Sequence, residues 1–549
     1  MEKADGGTWH PCVPNSMSLI TYFKQKEGEK ASNLANKRKA YHHNMGSDGN
    51  QIHAMFFPYM APGHMMPMVD MARMFAAFGA KVTIIITTMN ALRIKNVIDR
   101  DVKLGRDITL EIISLPSTEV GLPEGCENVV SAPTPEMSIK LFHAIELLQP
   151  KIKKLFSDLH PDCIVSDSLC PWTLDIANEL GIARIAFNGS GFFNLCLLEN
   201  ITLYEPHKSI ESETETFVVP GLPHEVKLTR SQLPDIVKAK NKFSELFDKL
   251  RESQRKSFGV LMNSFYELEP GYADHCRNVL GIKAWHIGPV SLVNRDTVDK
   301  VDRGEKTSIS KHDCINWLDC KKPRSVLYIC FGSLTRFNKK QTTEIAYALE
   351  ASGHPFIWVV GKVLKTSNGE FEDEEQELWL PQGFEDKIKE NGQGLLIRGW
   401  APQVLILEHE AIGGFLTHCG WNSILEGIVA GVPFITWPIF AEQFYNEKLV
   451  TQVLNLGVSI GNEVWKAWAT EDSLVIKSGD DILMTINAVM GDTEEAIDMN
   501  KRAKKLGELA KKAVEEGHSS YNDLKRLIED IKMHRISKSN GVIENSGHA

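Results

Sequence analysis

Between Trp400 and Gln443 the chain carries a dense run of side chains suited to a phosphorylated, hydroxyl-rich ligand, WAPQVLILEHEAIGGFLTHCGWNSILEGIVAGVPFITWPIFAEQ. Trp400 offers an indole face on which a flat base can stack. Gln403 and Glu426 can hold ribose hydroxyls, and Trp421, Glu442 and Gln443 supply donors and acceptors suited to a sugar. His418, Asn422 and Ser423 sit where an apolar strand gives way, through Gly420, to a helix expected to run through Ala430. Asn and Ser favour helix starts, and the free N–H groups and partial positive charge there bind phosphate. Any one of these residues alone reads as ordinary core or surface. The ordered set over 44 residues points to a ligand that is flat at one end, phosphorylated in the middle and hydroxylated at the other.

A second pair of candidates lies upstream. His64 follows the apolar run HAMFFPY, and Asp167 closes the run DCIVSD. An imidazole that titrates near neutrality can take a proton from a hydroxyl, and a carboxylate beside it fixes its tautomer and steadies the imidazolium. The bland alternatives are a satisfied structural histidine and a helix cap before Pro171. Asp99-Arg100-Asp101 is the D-x-D of the chain, but it ends a helix-like segment and reads as a solvated charge cluster, so no metal is expected. Gly189-Ser190-Gly191 follows a strand, yet Asn194 stands where a dinucleotide fingerprint needs its third glycine, which argues against nicotinamide chemistry.

Such residues need a scaffold that brings strand ends together. Strands are predicted at 53–59, 81–88, 108–115, 162–167 and 183–188, with helices at 67–77, 134–158 and 171–180. The second half repeats the pattern, with strands at 325–332, 355–361, 394–400, 413–418, 433–438 and 458–461. Strands alternating with helices imply parallel βαβ units, whose ligand sites lie at the carboxyl ends of the strands. The polar stretch 286–322 reads as an interdomain linker, 495–516 and 521–532 as helices, and 537–549 as a loose tail. Residues 1–51 lack periodicity and read as a disordered tail or a gene-model addition, with Met45 as the natural start.

Composition sets the outer limits. A chain of 549 residues with 43% hydrophobic and 24% charged residues affords two to four soluble domains. A net charge of −10 argues against nucleic acid as a partner. Ten cysteines with no C-x-x-C spacing fit a reducing compartment. With no signal peptide and no run of 18 apolar residues, no transmembrane segment is expected. The expected location is the cytosol, with peripheral association to the endoplasmic reticulum as a further option.

The 400–443 stretch closely resembles the signature box of plant family-1 UDP-glycosyltransferases: the opening W-A-P-Q, the H-C-G-W-N-S core, Glu426 and the final Gln443 all match. Glu442 stands where many relatives carry Asp. The resemblance runs from about Ile52 to about Arg535 and implies an α/β GT-B fold, two Rossmann-like domains facing across a cleft. Residues 52–285 would bind the acceptor and 323–516 the UDP-sugar, with 286–322 between them and a helix over 517–536 returning to the first domain. On this resemblance His64 is the general base and Asp167 its partner, Ala401 joins the donor site, Ser333 reaches the diphosphate and Ser190 the sugar 6-hydroxyl.

The reaction implied is inverting transfer of a hexose from a UDP-sugar, which is a co-substrate, so that no cofactor is needed. Trp421 and Gln443 match glucose users, making UDP-glucose the expected donor. The segment AEQFYNEKLV resembles the subgroup that glycosylates triterpenoids, steroids, flavonoids and phenylpropanoids. The expected acceptor is therefore small and lipophilic, triterpenoid or steroid slightly ahead of flavonoid or coumarin. Met60, Trp172, Phe192, Phe193 and Phe440 are candidates to line its pocket, and a monomer is expected. Two readings compete: a non-catalytic nucleotide-sugar binder, and a hydrolase, which would need a second opposed carboxylate.

Overall fold

In the computed structural model, which describes residues 51–238, 242–304, 307–360, 380–466 and 475–546, each βαβ repeat starts from a buried apolar strand. The expectation for 1–51 falls, apart from Gln51, outside the described residues. In the first half β1 (His53–Phe57), β2 (Lys81–Thr87), β3 (Ile108–Ile113), β4 (Cys163–Asp167) and β5 (Ala183–Asn188) are joined by parallel pairing, for example Met55 beside Thr83 and Ile164. A short antiparallel pair, β6 (Thr216–Val218) and β7 (Lys227–Thr229), stands apart, and β8 (Gly259–Met262) and β9 (Ala284–His286) complete the sheet. Its order is β3-β2-β1-β4-β5-β8-β9, seven strands among the described residues.

Alternate residues along β1 serve opposite faces. Ala54 and Phe56 pack with Met68, Met71, Ala72 and Phe75 of α1 (Pro62–Ala77), and Met55 and Phe57 pack with Leu141, Ile152 and Phe156. Helix α1 starts five residues before the expected 67, because Pro62 suits a first helical turn. His64 therefore lies in that first turn rather than in a loop. The helix expected over 134–158 is two helices, Pro135–Glu146 and Gln149–Leu159, with Pro150 opening the second. Helices α2 (Thr88–Lys103), α3 (Phe192–Tyr204) and α4 (Lys242–Lys256) complete the parts of this half used below.

The stretch 286–322 is more ordered than its composition suggests. It carries α5 (Thr297–Val301) and α6 (Lys311–Asp319), with Cys314 and Leu318 buried. Two of its acids form ion pairs: Asp299 with Arg73 at 2.7 Å and Arg100 at 2.6 Å, and Asp302 with Arg100 at 2.6 Å. Polar side chains that pair in this way order a segment without leaving an apolar pattern.

The second half holds β10 (Val326–Cys330), β11 (Phe356–Val360), β12 (Gly394–Arg398), β13 (Ile412–Thr417), β14 (Phe434–Thr436) and β15 (Gly457–Ser459), parallel in the order β12-β11-β10-β13-β14-β15. Its helices include α7 (Trp421–Ala430), α8 (Gln443–Lys448) and α9 (Glu494–Ala513), and the chain closes with α10 (Ser519–Ser546). Leu524, Leu527, Ile528 and Ile531 of α10 share the core of Ala54, Phe56 and Ile84 in the first sheet. The backbone is helical through Ser546, so the segment from 537 is not loose over its described length. Among the described residues no helix is long and apolar enough to cross a membrane.

Candidate functional site

The carboxyl ends of β1, β4 and β5 and those of β10, β13 and β14 open on one cavity of about 690 Å³. All fourteen residues singled out as catalytic or donor-binding line it: His64, Asp167, Ser190, Ser333, Trp400, Ala401, Gln403, His418, Trp421, Asn422, Ser423, Glu426, Glu442 and Gln443.

His64 enters from the first turn of α1, about one-third exposed, with Nδ1 2.8 Å from Asp167 Oδ2. Asp167 is buried, and its other oxygen accepts from the Leu169 amide at 2.9 Å. A carboxylate at Nδ1 places the proton there and leaves the Nε2 lone pair available. Burial pulls the imidazole pKa down, but the charge and hydrogen bond of Asp167, with the charge of Glu442, leave it above its ordinary value.

Across the cavity β13 ends at Thr417, and Cys419, at φ 66°, turns the chain into α7. His418 is pushed down to about 4 by burial, only partly opposed by the Cys330 carbonyl, so it is a neutral hydrogen-bonding group. A Cβ on Gly332 or Gly420 would lie 2.6 or 2.5 Å from its Nε2, so both positions must lack a side chain. Asn422 Nδ2 donates to Gly63 O at 2.8 Å, tying the start of α7 to the first turn of α1, which carries His64. Gln403 Nε2 donates to Ser423 Oγ at 3.1 Å and to Glu426 Oε2 at 2.8 Å.

At the far end Gln443 Oε1 accepts from the amides of Ile439 and Phe440 at 2.9 and 3.0 Å, which leaves its NH2 group to donate. Burial pushes the Glu442 carboxyl up against the opposing pull of amide hydrogen bonds and His64. The Ser190 hydroxyl donates to Asn188 Oδ1 at 2.8 Å, so its oxygen faces a ligand as an acceptor.

The geometry corrects several expectations. The Trp421 indole N–H donates to Asn263 O at 2.8 Å, so it docks α7 onto the first half and is not free for a sugar hydroxyl. Of the five acceptor-pocket candidates, Phe440 lines the cavity; Met60, Trp172, Phe192 and Phe193 are buried in the core. Phe193 packs on Tyr272, and the backbone amides of Phe192 and Phe193 are taken by Glu269. The apolar wall comes instead from Leu169, Leu195, Leu198, Ile236, Phe247 and Leu250. Nor is Asp99-Arg100-Asp101 a solvated cluster: Asp101 is fully buried and pairs with Arg73 and Arg106, while Asp99 pairs with Lys95.

Sequence reasoning also missed polar lining residues. Arg303 and Lys300 reach in from the linker, and Gln254 accepts from Asn188 Nδ2 at 3.1 Å. Asn194 Oδ1 and Tyr445 OH lack a hydrogen-bond partner among the described residues. The signal that could have found Arg303 is charge balance: Asp70 and Glu426 sit in apolar helices, and a buried acid calls for a cation. Taken together, the site places a histidine with a free Nε2 lone pair on the same cavity as a helix N-terminus.

Comparison with known proteins gives a family and a fold. The family described as UDP-glucoronosyl and UDP-glucosyl transferase matches residues 292–463. Scopoletin glucosyltransferase of Nicotiana tabacum is 48% identical, over 88% of this chain and 98% of its own length. UDP-glucose flavonoid 3-O-glucosyltransferase 7 of Fragaria ananassa is 46% identical, over 88% of this chain and 96% of its own. A UGT of Glycyrrhiza uralensis, solved in complex with glycyrrhetinic acid 3-O-monoglucuronide, matches with a TM-score of 0.84 at 42% identity, covering 90% of this chain and 99% of that one.

Proposed function

Because the chain belongs to the plant family-1 UDP-glycosyltransferases, GT-B enzymes that use a UDP-sugar as co-substrate, we propose that it is an inverting glucosyltransferase acting on a hydroxyl of a lipophilic acceptor. His64 Nε2 takes the acceptor proton as the oxygen attacks C1 of the sugar. The bond from C1 to the diphosphate oxygen breaks, and its electron pair leaves with UDP. Asp167 steadies the imidazolium. The amides opening α7, with His418, Asn422, Ser423 and Ser333, meet the charge that develops on the diphosphate.

Trp400 and Ala401 take the base, and Gln403 with Glu426 the ribose. Glu442 and Gln443 hold the sugar hydroxyls, and Ser190 accepts from the 6-hydroxyl. The observation that carries this reading is the 2.8 Å contact of His64 with Asp167 on the same cavity as the α7 N-terminus, which also weighs against a binder without chemistry. We place the protein in the cytosol on its ten cysteines, none in C-x-x-C spacing, which fit a reducing compartment.

The apolar wall favours a polycyclic acceptor, and triterpenoid or steroid alcohols are the first choice. A coumarin or flavonoid is the second reading, favoured by the 48% identity to a scopoletin glucosyltransferase. Incubation of the purified protein with UDP-glucose and a pooled panel of triterpenoid, steroid, flavonoid and coumarin aglycones, followed by mass spectrometry, tests both. A hexosyl adduct on one class names the acceptor. No adduct on any of them, with UDP-glucose still bound, would count against the reading.

A further inference from the structure

The segment between the two sheets reaches the nucleotide end of the cavity through Arg303. Its guanidinium, 11% exposed, spans both halves of the molecule: Nε donates to Asp70 Oδ2 on α1 at 2.8 Å, and Nη1 donates to Glu426 Oε1 on α7 at 2.5 Å. The other Glu426 oxygen accepts from Gln403 Nε2 at 2.8 Å. Gly304 follows at φ 108°, and a Cβ there would lie 2.3 Å from Trp400 Cζ2. Only a glycine lets the segment close against the indole and bring Arg303 onto Glu426.

The segment is anchored from several sides. Asp299 pairs with Arg73 and Arg100, Asp302 with Arg100, and Lys300 with Glu408 at 2.5 Å. Asp70 is itself held by Asn294 Nδ2 at 3.0 Å. Glu426 is buried, and a buried carboxylate that loses its cation is left unpartnered and turns away. Arg303 on one oxygen and Gln403 on the other hold it in one orientation. About four lone-pair sites belong to a carboxylate, so each oxygen still has room for a ligand hydroxyl.

We propose that Arg303 is a positioning residue of the donor site, holding the Glu426 carboxylate aimed at the ribose hydroxyls. The proposal rests on the reading of Glu426 as a ribose contact. It makes the linker a working part of the nucleotide site, and it ties that site to α1, the helix that carries His64.

The test is calorimetric binding of UDP and of 2′,3′-dideoxy-UDP to the full chain as wild type, Arg303→Gln, Arg303→Lys and Glu426→Gln, with thermal unfolding run alongside. Arg303→Gln is expected to weaken UDP about tenfold, the scale of one hydrogen bond to a charged group. The same variant should change dideoxy-UDP less than about twofold on that scale, and should raise KM for UDP-glucose with kcat largely kept. Arg303→Lys keeps the charge without the fork and should recover part of the loss. It also carries the comparison if Arg303→Gln fails to fold, then showing a smaller loss confined to UDP. Equal weakening of both nucleotides, or of neither, would overturn the proposal, leaving Arg303 a structural bridge. If Glu426→Gln weakens both nucleotides alike, the ribose reading falls first and the proposal with it.

Discussion

At His64 two carboxylates work against burial. Burial lowers the imidazole pKa, Asp167 and Glu442 raise it, and the net direction is up from 6.5. In the role proposed for it, His64 must be unprotonated to take a proton, so activity is expected to be lost as pH falls through the raised value. The acid limb of kcat/KM should therefore lie above the ordinary imidazole range. Asp167→Asn removes the larger of the two opposing charges. It should move that limb to lower pH and cut the plateau by roughly 10²–10⁴-fold; a limb that does not move would separate His64 from the rate. The place of these residues, past the ends of two apolar strands, was legible in the sequence, whereas their pairing as base and partner was implied by the resemblance. Atomic partners were not legible. The Trp421 indole N–H is satisfied by a carbonyl 158 residues away, and sequence order carries no trace of such a contact.

Among the elements, the β13–α7 turn is built around a histidine with no spare room. Gly420→Ala would put a methyl only 2.5 Å from His418 Nε2. The imidazole or the turn must shift, at a cost of about 1–3 kcal/mol. We expect a KM for UDP-glucose raised by about tenfold or more, with the loss visible in UDP binding by calorimetry; an unchanged donor affinity would show that the turn relaxes freely. Strands such as β1 and β13 were legible because a parallel strand covered on both faces is an unbroken apolar run. Helix α3 was not, for a related reason. FFNLCLL is apolar all round, so nothing in its pattern says that Leu195 and Leu198 face the cavity while Phe192 and Phe193 face the core. The linker failed in the opposite way, since α5 is ordered by ion pairs that mimic the composition of a loop.

For the whole molecule, the boundary between the halves is crossed more than once. The linker ties α1 to α7 through Arg303. At the other end of the chain, α9 packs so closely on α7 that a Cβ on Gly507 would lie 2.8 Å from Ile428 O, and α10 then inserts Leu524, Leu527 and Ile531 into the first core. Asp523 of α10 accepts from Arg277 Nη2 at 2.9 Å and from the His286 amide at 3.1 Å. The last stretch of chain thus grips one half with one helix and the other half with the next. A molecule laced this way should melt as one body: scanning calorimetry is expected to give a single endotherm whose van't Hoff and calorimetric enthalpies agree, and two resolved endotherms would contradict it. Amide protons in β1 and β13 should likewise exchange through the same global opening, so that a nucleotide gripped by α7 slows exchange in the sheet it never touches.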